Sequence, residues 1–314
     1  MTSAASEVWK YSDPDNYDLI QTIAAFHGVR SENVVIIEGI DGGLGLANRL
    51  VVSPGDKVVT SDGAYPTFNF HVAACGGDLI KVPYRDDRED LGALLDAARE
   101  NKARIVYVTN PDNPMGSWWS ADEIGSLIRD LPEGTMLALD EAYIDTAPEG
   151  TAPAIDVDNP MVLRFRTFSK VYGMAGARIG YCLGEAGVIR QFEKIRNHYG
   201  INRIAQAGAK AALEDQAYLR ETVGQIAAAR EEISRIVEAS DLQALPSATN
   251  FVTVDCGRDS DFARRVLDGL LARDVFVRMP GVAPLNRCIR IGAGRAADLA
   301  LFAEALPGAL AEAG

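Results

Sequence analysis

Histidine, cysteine and long apolar runs are what this chain has least of. Its 314 residues include 3 histidines and 4 cysteines, and Cys75, Cys182, Cys256 and Cys288 are scattered without a CxxC pair. That spacing offers neither a zinc site nor a disulfide framework, so no metal is expected and a reducing cytoplasm is the expected setting. No apolar stretch approaches the roughly 20 residues that span a bilayer. The opening MTSAASEVWK has no basic-then-apolar signal. Lys and Arg number 31 against 44 Asp and Glu, a net charge of −13, which disfavours nucleic acid and anionic lipid as partners. From these absences a soluble, intracellular protein is expected.

What is present is an ordinary globular balance, 47% hydrophobic and 24% charged, in a chain long enough for one large core and a smaller satellite. Short apolar runs at 34–37, 57–60, 79–82, 104–109, 136–140, 161–165 and 177–183 alternate with amphipathic stretches. This is the pattern of an α/β fold, a mostly parallel central sheet with helices on both faces. Residues 187–237 read as long helix broken around 197–202. Beyond them SATNFVTVDC, RDVFVRMP and RCIRIGA read as three strands, with helices at 261–273 and 296–310, forming a smaller C-terminal α/β domain. The expected organisation is an N-terminal segment at 1–15, a large domain at 16–200 and a small domain at 201–314.

The chemistry concentrates in RFRTFSKVYGMAGARIGY, residues 164–181. Lys170 follows an apolar run, stands beside the hydroxyls of Thr167 and Ser169, and precedes Arg178 by eight residues. An amine condenses with an aldehyde only when unprotonated, a state favoured by apolar surroundings and a nearby cation. Asp140 ends a buried-looking strand, where a carboxylate can keep a pyridine nitrogen protonated. Asn113 stands in the proline-braced turn TNPDNPMG, and the glycine-rich turn 39–42, with Ile40 and Asp41, precedes an amphipathic segment at 44–50. Backbone amides there, with Thr167, Ser169 and Arg178, make a cup for a phosphate. The set suits pyridoxal 5'-phosphate. In open α/β sheets ligands gather at the carboxyl ends of strands, where these residues fall.

Each residue alone has a plainer explanation. Lys170 suits a solvated strand end, Asp140 a helix cap, Asn113 a turn, and Arg178 a weak surface ion pair. His27 and His71 lie in expected helices and read as packing residues. The joint order of the motifs is what favours chemistry.

EGIDGG, GAYPTF, TNPDNPMG, LDEAYI, RTFSKVYGMAGARIGY and CIRIGAG together resemble the class I/II aminotransferases of the fold type I pyridoxal phosphate superfamily, above all the histidinol-phosphate aminotransferase family. The resemblance covers almost the whole chain. It implies Lys170 as the Schiff-base lysine, Asp140 as the partner of the pyridine nitrogen, Asn113 and Tyr143 as partners of the ring hydroxyl, and Tyr65 stacked on the ring. It implies phosphate contacts from Ile40, Asp41, Thr167, Ser169 and Arg178, and from Tyr11 across the interface of a homodimer. Arg290 would take the substrate carboxylate, and Arg278 is a second candidate for an anion contact. The expected reaction moves an amino group from a donor such as histidinol phosphate or an aromatic amino acid to 2-oxoglutarate, by a ping-pong mechanism. Two features depart from the family pattern: the arm with an Asn-Pro-Tyr-Gly turn that family members carry ahead of Tyr11 is not among these residues, and Gly42 and Gly43 replace acidic or bulkier ones.

A decarboxylating lyase on the same fold, acting on a phosphorylated threonine, is the alternative chemistry. A non-catalytic cofactor-sensing module, of the kind found in some transcription regulators, is disfavoured by the acidic charge and by the lack of anything resembling a helix-turn-helix. Residues 39–45, GIDGGLG, miss the GxGxxG spacing of a dinucleotide site.

Overall fold

The computed structural model describes residues 1–314. Seven strands form the main sheet: β1 (Val34–Ile37), β2 (Lys57–Ser61), β3 (Asp78–Val82), β4 (Ile105–Thr109), β5 (Met136–Asp140), β6 (Val162–Thr167) and β7 (Gly180–Leu183). Their order is β1-β7-β6-β5-β4-β2-β3. β7 alone runs against its neighbours β1 and β6, and the remaining pairs are parallel.

The apolar runs are continuous because both faces of the sheet are covered. Along β4, Ile105 and Tyr107 join one core with the helices Gly39–Val51 and Thr67–Ala74, while Val106 and Val108 join another with Leu91–Asn101 and Ala121–Arg129. The period of two in a strand separates the two sets. Leu44, fully buried on the first face, contributes on the order of 1.5–3 kcal/mol by its burial. Local signals set the helix starts: Asp90 caps Ala93 N–H, and Ser120 and Glu123 form a capping box.

A second, smaller sheet has the order β10-β9-β8, all antiparallel, from β8 (Gln243–Ala244), β9 (Phe251–Asp255) and β10 (Cys288–Gly292). Its core includes Ile233, Val254, Val266, Leu270, Ile289 and Phe302.

Three local expectations change. The segment RDVFVRMP is not a strand; only Arg278 pairs with Arg290, and β8 supplies the third strand instead. Pro280 follows closely and has no N–H for a ladder. The long helix is broken twice, since Asp215 caps a new helix (Gln216–Glu238) directly after Arg203–Glu214. Residues 39–42 are not a turn ahead of a helix but its first turn. The two unusual glycines have a packing reason there: a Cβ on Gly43 would lie 2.4 Å from Ile37 Cδ1, and one on Gly42 3.1 Å from Glu38 Cβ.

Candidate active site

The carboxyl ends of β4, β5 and β6 and the first turn of the helix Gly39–Val51 converge on one cavity. Ten of the thirteen residues singled out in the sequence line it: Ile40, Asp41, Tyr65, Asn113, Asp140, Tyr143, Thr167, Ser169, Lys170 and Arg178. Thr109, Pro111, Ala142 and Ala175 complete it.

Asp140, 5% exposed, ends β5 at the floor. Its Oδ2 accepts from Tyr107 Oη at 2.9 Å and its Oδ1 from Ala142 N–H at 2.9 Å. Burial pushes its carboxyl up to about 6, against these two hydrogen bonds and the Lys170 charge, which pull it down. A cation placed against Asp140 would therefore find a carboxylate that gains by becoming charged. Lys170 enters the same cavity, its Nζ 4.9 Å from the Tyr143 ring centre.

At the other end, the amides of Ile40 and Asp41 belong to the first turn of a 13-residue helix, the position at which a helix has unpaired N–H groups and the positive end of its dipole. Thr167 Oγ1 donates to Ser169 Oγ at 2.9 Å. Arg178 closes this end beside Gly39, whose φ of +72° and lack of Cβ make the room: an added Cβ would sit 2.6 Å from Arg178 Nη2. A lysine facing a buried acid, a hydroxyl pair, an arginine and free helix amides fit an aldehyde, a protonatable ring and a phosphate held together.

Three of the thirteen lie elsewhere. Arg290 in β10 reaches the rim, where its guanidinium donates to Asn113 Oδ1 and lies 4.6 Å from the Phe251 ring centre. Arg278 touches Arg290 through backbone only, exchanging hydrogen bonds of 3.1 and 2.7 Å, and its side chain lies over Phe276. Tyr11 is exposed, its ring 5.0 Å from that of Tyr199.

Sequence reasoning missed two contributors. Tyr107 is fully buried and stacks on Phe68 at 4.2 Å; a tyrosine inside an apolar strand signals a hydroxyl that needs a partner. His71, expected to be a packing residue, places Nε2 3.0 Å from Asp41 Oδ1. His27 packs with its ring 5.5 Å from that of Tyr181 and its Nε2 hydrogen-bonded to Tyr181 Oη at 2.9 Å, and burial draws its pKa down to about 3.

Strand order and site together define a class, the fold type I enzymes that use pyridoxal phosphate. The family model of aminotransferase class I and II matches residues 2–306. Histidinol-phosphate aminotransferase of Moorella thermoacetica is 31% identical over 98% of this chain and 79% of its own length. Histidinol-phosphate aminotransferase 2 of Ralstonia nicotianae is 34% identical over 100% of this chain and 84% of its own. The crystal structure of histidinol-phosphate aminotransferase from Sinorhizobium meliloti, in complex with pyridoxal-5'-phosphate, superposes with a TM-score of 0.98 at 53% identity, covering 100% of this chain and 86% of that one. The chain belongs to the class I and II aminotransferases, close to the histidinol-phosphate aminotransferases, and is a pyridoxal phosphate-dependent enzyme.

Proposed function

We propose that this enzyme transfers the amino group of histidinol phosphate to 2-oxoglutarate in two half-reactions at one site. The observation that carries the reading is the convergence of Lys170, Asp140 and the amides of Ile40 and Asp41 on a single cavity, with Arg290 at its rim through Asn113.

Bound pyridoxal phosphate supplies an electron sink for the carbanion formed when a substrate Cα loses its proton. The chain's residues do the rest. Lys170 would hold the cofactor aldehyde and, once the substrate amine takes its place, would act as the base that moves the proton from the substrate Cα. Asp140, held by Tyr107 and Ala142, keeps the ring nitrogen protonated. Asn113 and Tyr143 would hold the ring hydroxyl, and Tyr65 would pack on the ring. The amides of Ile40 and Asp41 with Thr167, Ser169 and Arg178 hold the phosphate. Arg290 receives the carboxylate of glutamate or 2-oxoglutarate, and Arg278 is the candidate second anion contact.

Tyr11, exposed on one protomer, would complete a partner's phosphate site in a homodimer. No helix is long and apolar enough to cross a membrane, and the reading places the enzyme in the cytoplasm. Residues 1–15 would then serve the dimer interface, 16–200 hold the cofactor, and 201–314 close over the substrate.

The test adds histidinol phosphate, then L-glutamate, to purified holoenzyme and follows the cofactor's absorbance. Both donors should convert the aldehyde form to the amine form, and initial rates should give parallel double-reciprocal lines. Conversion by aromatic amino acids but not by histidinol phosphate refutes the substrate. Carbon dioxide release from a phospho-amino acid without conversion refutes the reaction. Borohydride followed by peptide mapping should mark position 170.

A further inference from the structure

Beneath the cavity lie two buried carboxyls that the reaction above does not use. Glu89 and Asp112 are 1% and 2% exposed, and Thr109, 4% exposed at the end of β4, stands between them. Thr109 Oγ1 is 3.1 Å from Glu89 Oε1 and 2.9 Å from Asp112 Oδ1. A threonine hydroxyl has one proton. Both contacts are hydrogen bonds only if one carboxyl is protonated and donates to Oγ1, so that the hydroxyl can donate to the other.

The surrounding donors decide which. Asp112 also accepts from Tyr84 Oη at 2.8 Å and from Met115 N–H at 3.0 Å. Glu89 has, beyond the hydroxyl, only Thr109 N–H at 3.1 Å. Charge belongs where three donors point, which leaves the proton on Glu89. The groups facing Glu89 agree. The carboxyls of Asp112 and Asp140 bear on it, and burial together with the Asp112 charge pushes it well above the carboxylate range. Its neighbour Arg88 lies over the Trp119 ring at 3.5 Å and donates to the Trp118 carbonyl, not to Glu89.

Asp112 in turn shapes the turn that presents Asn113. Its backbone N–H donates to Ser117 O at 2.8 Å, its carbonyl accepts from Gly116 N–H at 3.1 Å, and its carboxylate holds Met115. Asn113 sits at the corner these bonds define.

We propose that Glu89, protonated in the folded enzyme, acts through the Thr109 hydroxyl and the Asp112 carboxylate as the positioning residue that fixes Asn113 at the cofactor ring. This rests on the role proposed for Asn113 in the reaction. Ionising Glu89 would turn the Thr109 hydroxyl away from Asp112 and leave two negative charges facing each other out of water, loosening the turn.

The test uses holoenzyme and two readouts, the midpoint of the cofactor's absorbance change in a pH titration and the thermal midpoint as a function of pH. Glu89→Gln copies the neutral acid, with an amide that donates to Thr109 Oγ1 and an oxygen that accepts Thr109 N–H. Its absorbance midpoint should stay where the natural enzyme has it. Its thermal midpoint should rise above that of the natural enzyme as pH climbs past the ordinary glutamate value of about 4.3, because only the natural side chain must be kept from ionising. Thr109→Val removes the bridge; its absorbance midpoint should move by roughly half a unit or more and its cofactor dissociation constant rise about tenfold. Thr109→Ser should restore both. A shifted absorbance midpoint in Glu89→Gln, with Asp112→Asn silent, puts the proton on the wrong carboxyl and overturns the proposal. So does a Thr109→Val enzyme indistinguishable from the natural one. If Thr109→Val fails to fold, the Glu89→Gln and Thr109→Ser midpoints decide. Failure of the Lys170 reading is distinct, since natural enzyme would then be colourless with the cofactor.

Discussion

Tyr107→Phe isolates one hydrogen bond to the acid at the base of the cavity. The ring should not move, because it is fully buried and stacked on Phe68 at 4.2 Å. Only the hydroxyl that donates to Asp140 Oδ2 at 2.9 Å is lost. A hydrogen bond to a charged acceptor contributes on the order of 1.5–3 kcal/mol, but here the loss depends on the state of Asp140. In cofactor-free protein the carboxyl, already pushed up to about 6 by burial, can take up a proton and avoid most of the cost. In the role proposed for Asp140, the carboxyl would be ionised opposite the ring nitrogen of bound pyridoxal phosphate, and the full cost would appear. The cofactor dissociation constant should therefore rise roughly tenfold to a hundredfold, while the thermal midpoint of the cofactor-free protein at pH 5–6, a range taken from the Asp140 value of about 6, changes little. Fluorescence titration with pyridoxal phosphate and a thermal melt measure the two. An unchanged dissociation constant would refute the idea that Asp140 must be charged when the cofactor is bound.

Three further predictions concern other parts of the chain. Gly39→Ala puts a Cβ 2.6 Å from Arg178 Nη2 at a φ of +72°; pyridoxal phosphate should bind more weakly, and pyridoxal, which has no phosphate, should be affected much less. Glu141→Gln leaves Arg164 and Arg166, which now donate to Glu141 at 3.0, 2.5 and 2.9 Å, without their buried counter-charge, and should cost about 3–5 kcal/mol in urea unfolding. The third concerns pH. The Asp140 value is raised to about 6, so the folded state binds the proton more tightly than the unfolded chain. The stability this group contributes is complete below about pH 4 and lost as pH rises through about 6, a span of about 3 kcal/mol. Asp112 and Asp145, also pushed up to about 6 by burial, act in the same direction. His27, drawn down to about 3 by burial, acts the other way in the same window, so the test is the difference between two proteins: relative to cofactor-free Asp140→Asn, the natural cofactor-free protein should lose thermal stability from about pH 4 to about pH 7.

The buried carboxyls account for the hydroxyls around the cavity. A site that keeps Glu89, Asp112 and Asp140 out of water needs a donor for almost every oxygen, and the strand ends supply them from Thr109, Tyr84, Tyr107 and the free amides of the loops. Two such groups result, Glu89, Thr109, Asp112 and Tyr84 beside Asn113, and Tyr107 with Ala142 at Asp140.

Much of this was legible in the linear chain because it is encoded locally. Apolar runs of strand length, the capping signals at Asp90 and Ser120, and the ordered motifs around Asn113, Asp140 and Lys170 each depend on residues a few positions apart. Those signals were enough for the fold class and the cofactor, and ten of the thirteen residues singled out line one cavity. The small sheet was misread where a β-prone stretch, 273–280, makes only the single Arg278–Arg290 bridge on the edge of β10, and strand pairing is a non-local property. Tyr11, which the family resemblance assigns to the phosphate of a partner subunit, lies outside the cavity of its own chain.

By itself the sequence determined which groups are present and on which elements they sit. Only the tertiary structure decided that Tyr107 meets Asp140, that His71 meets Asp41, and that Glu89 and Asp112 share one threonine hydroxyl. These contacts join residues 20 to 33 positions apart or complete such a chain. Their chemistry depends on distances of about 3 Å and on the exclusion of water, which no spacing along a chain specifies.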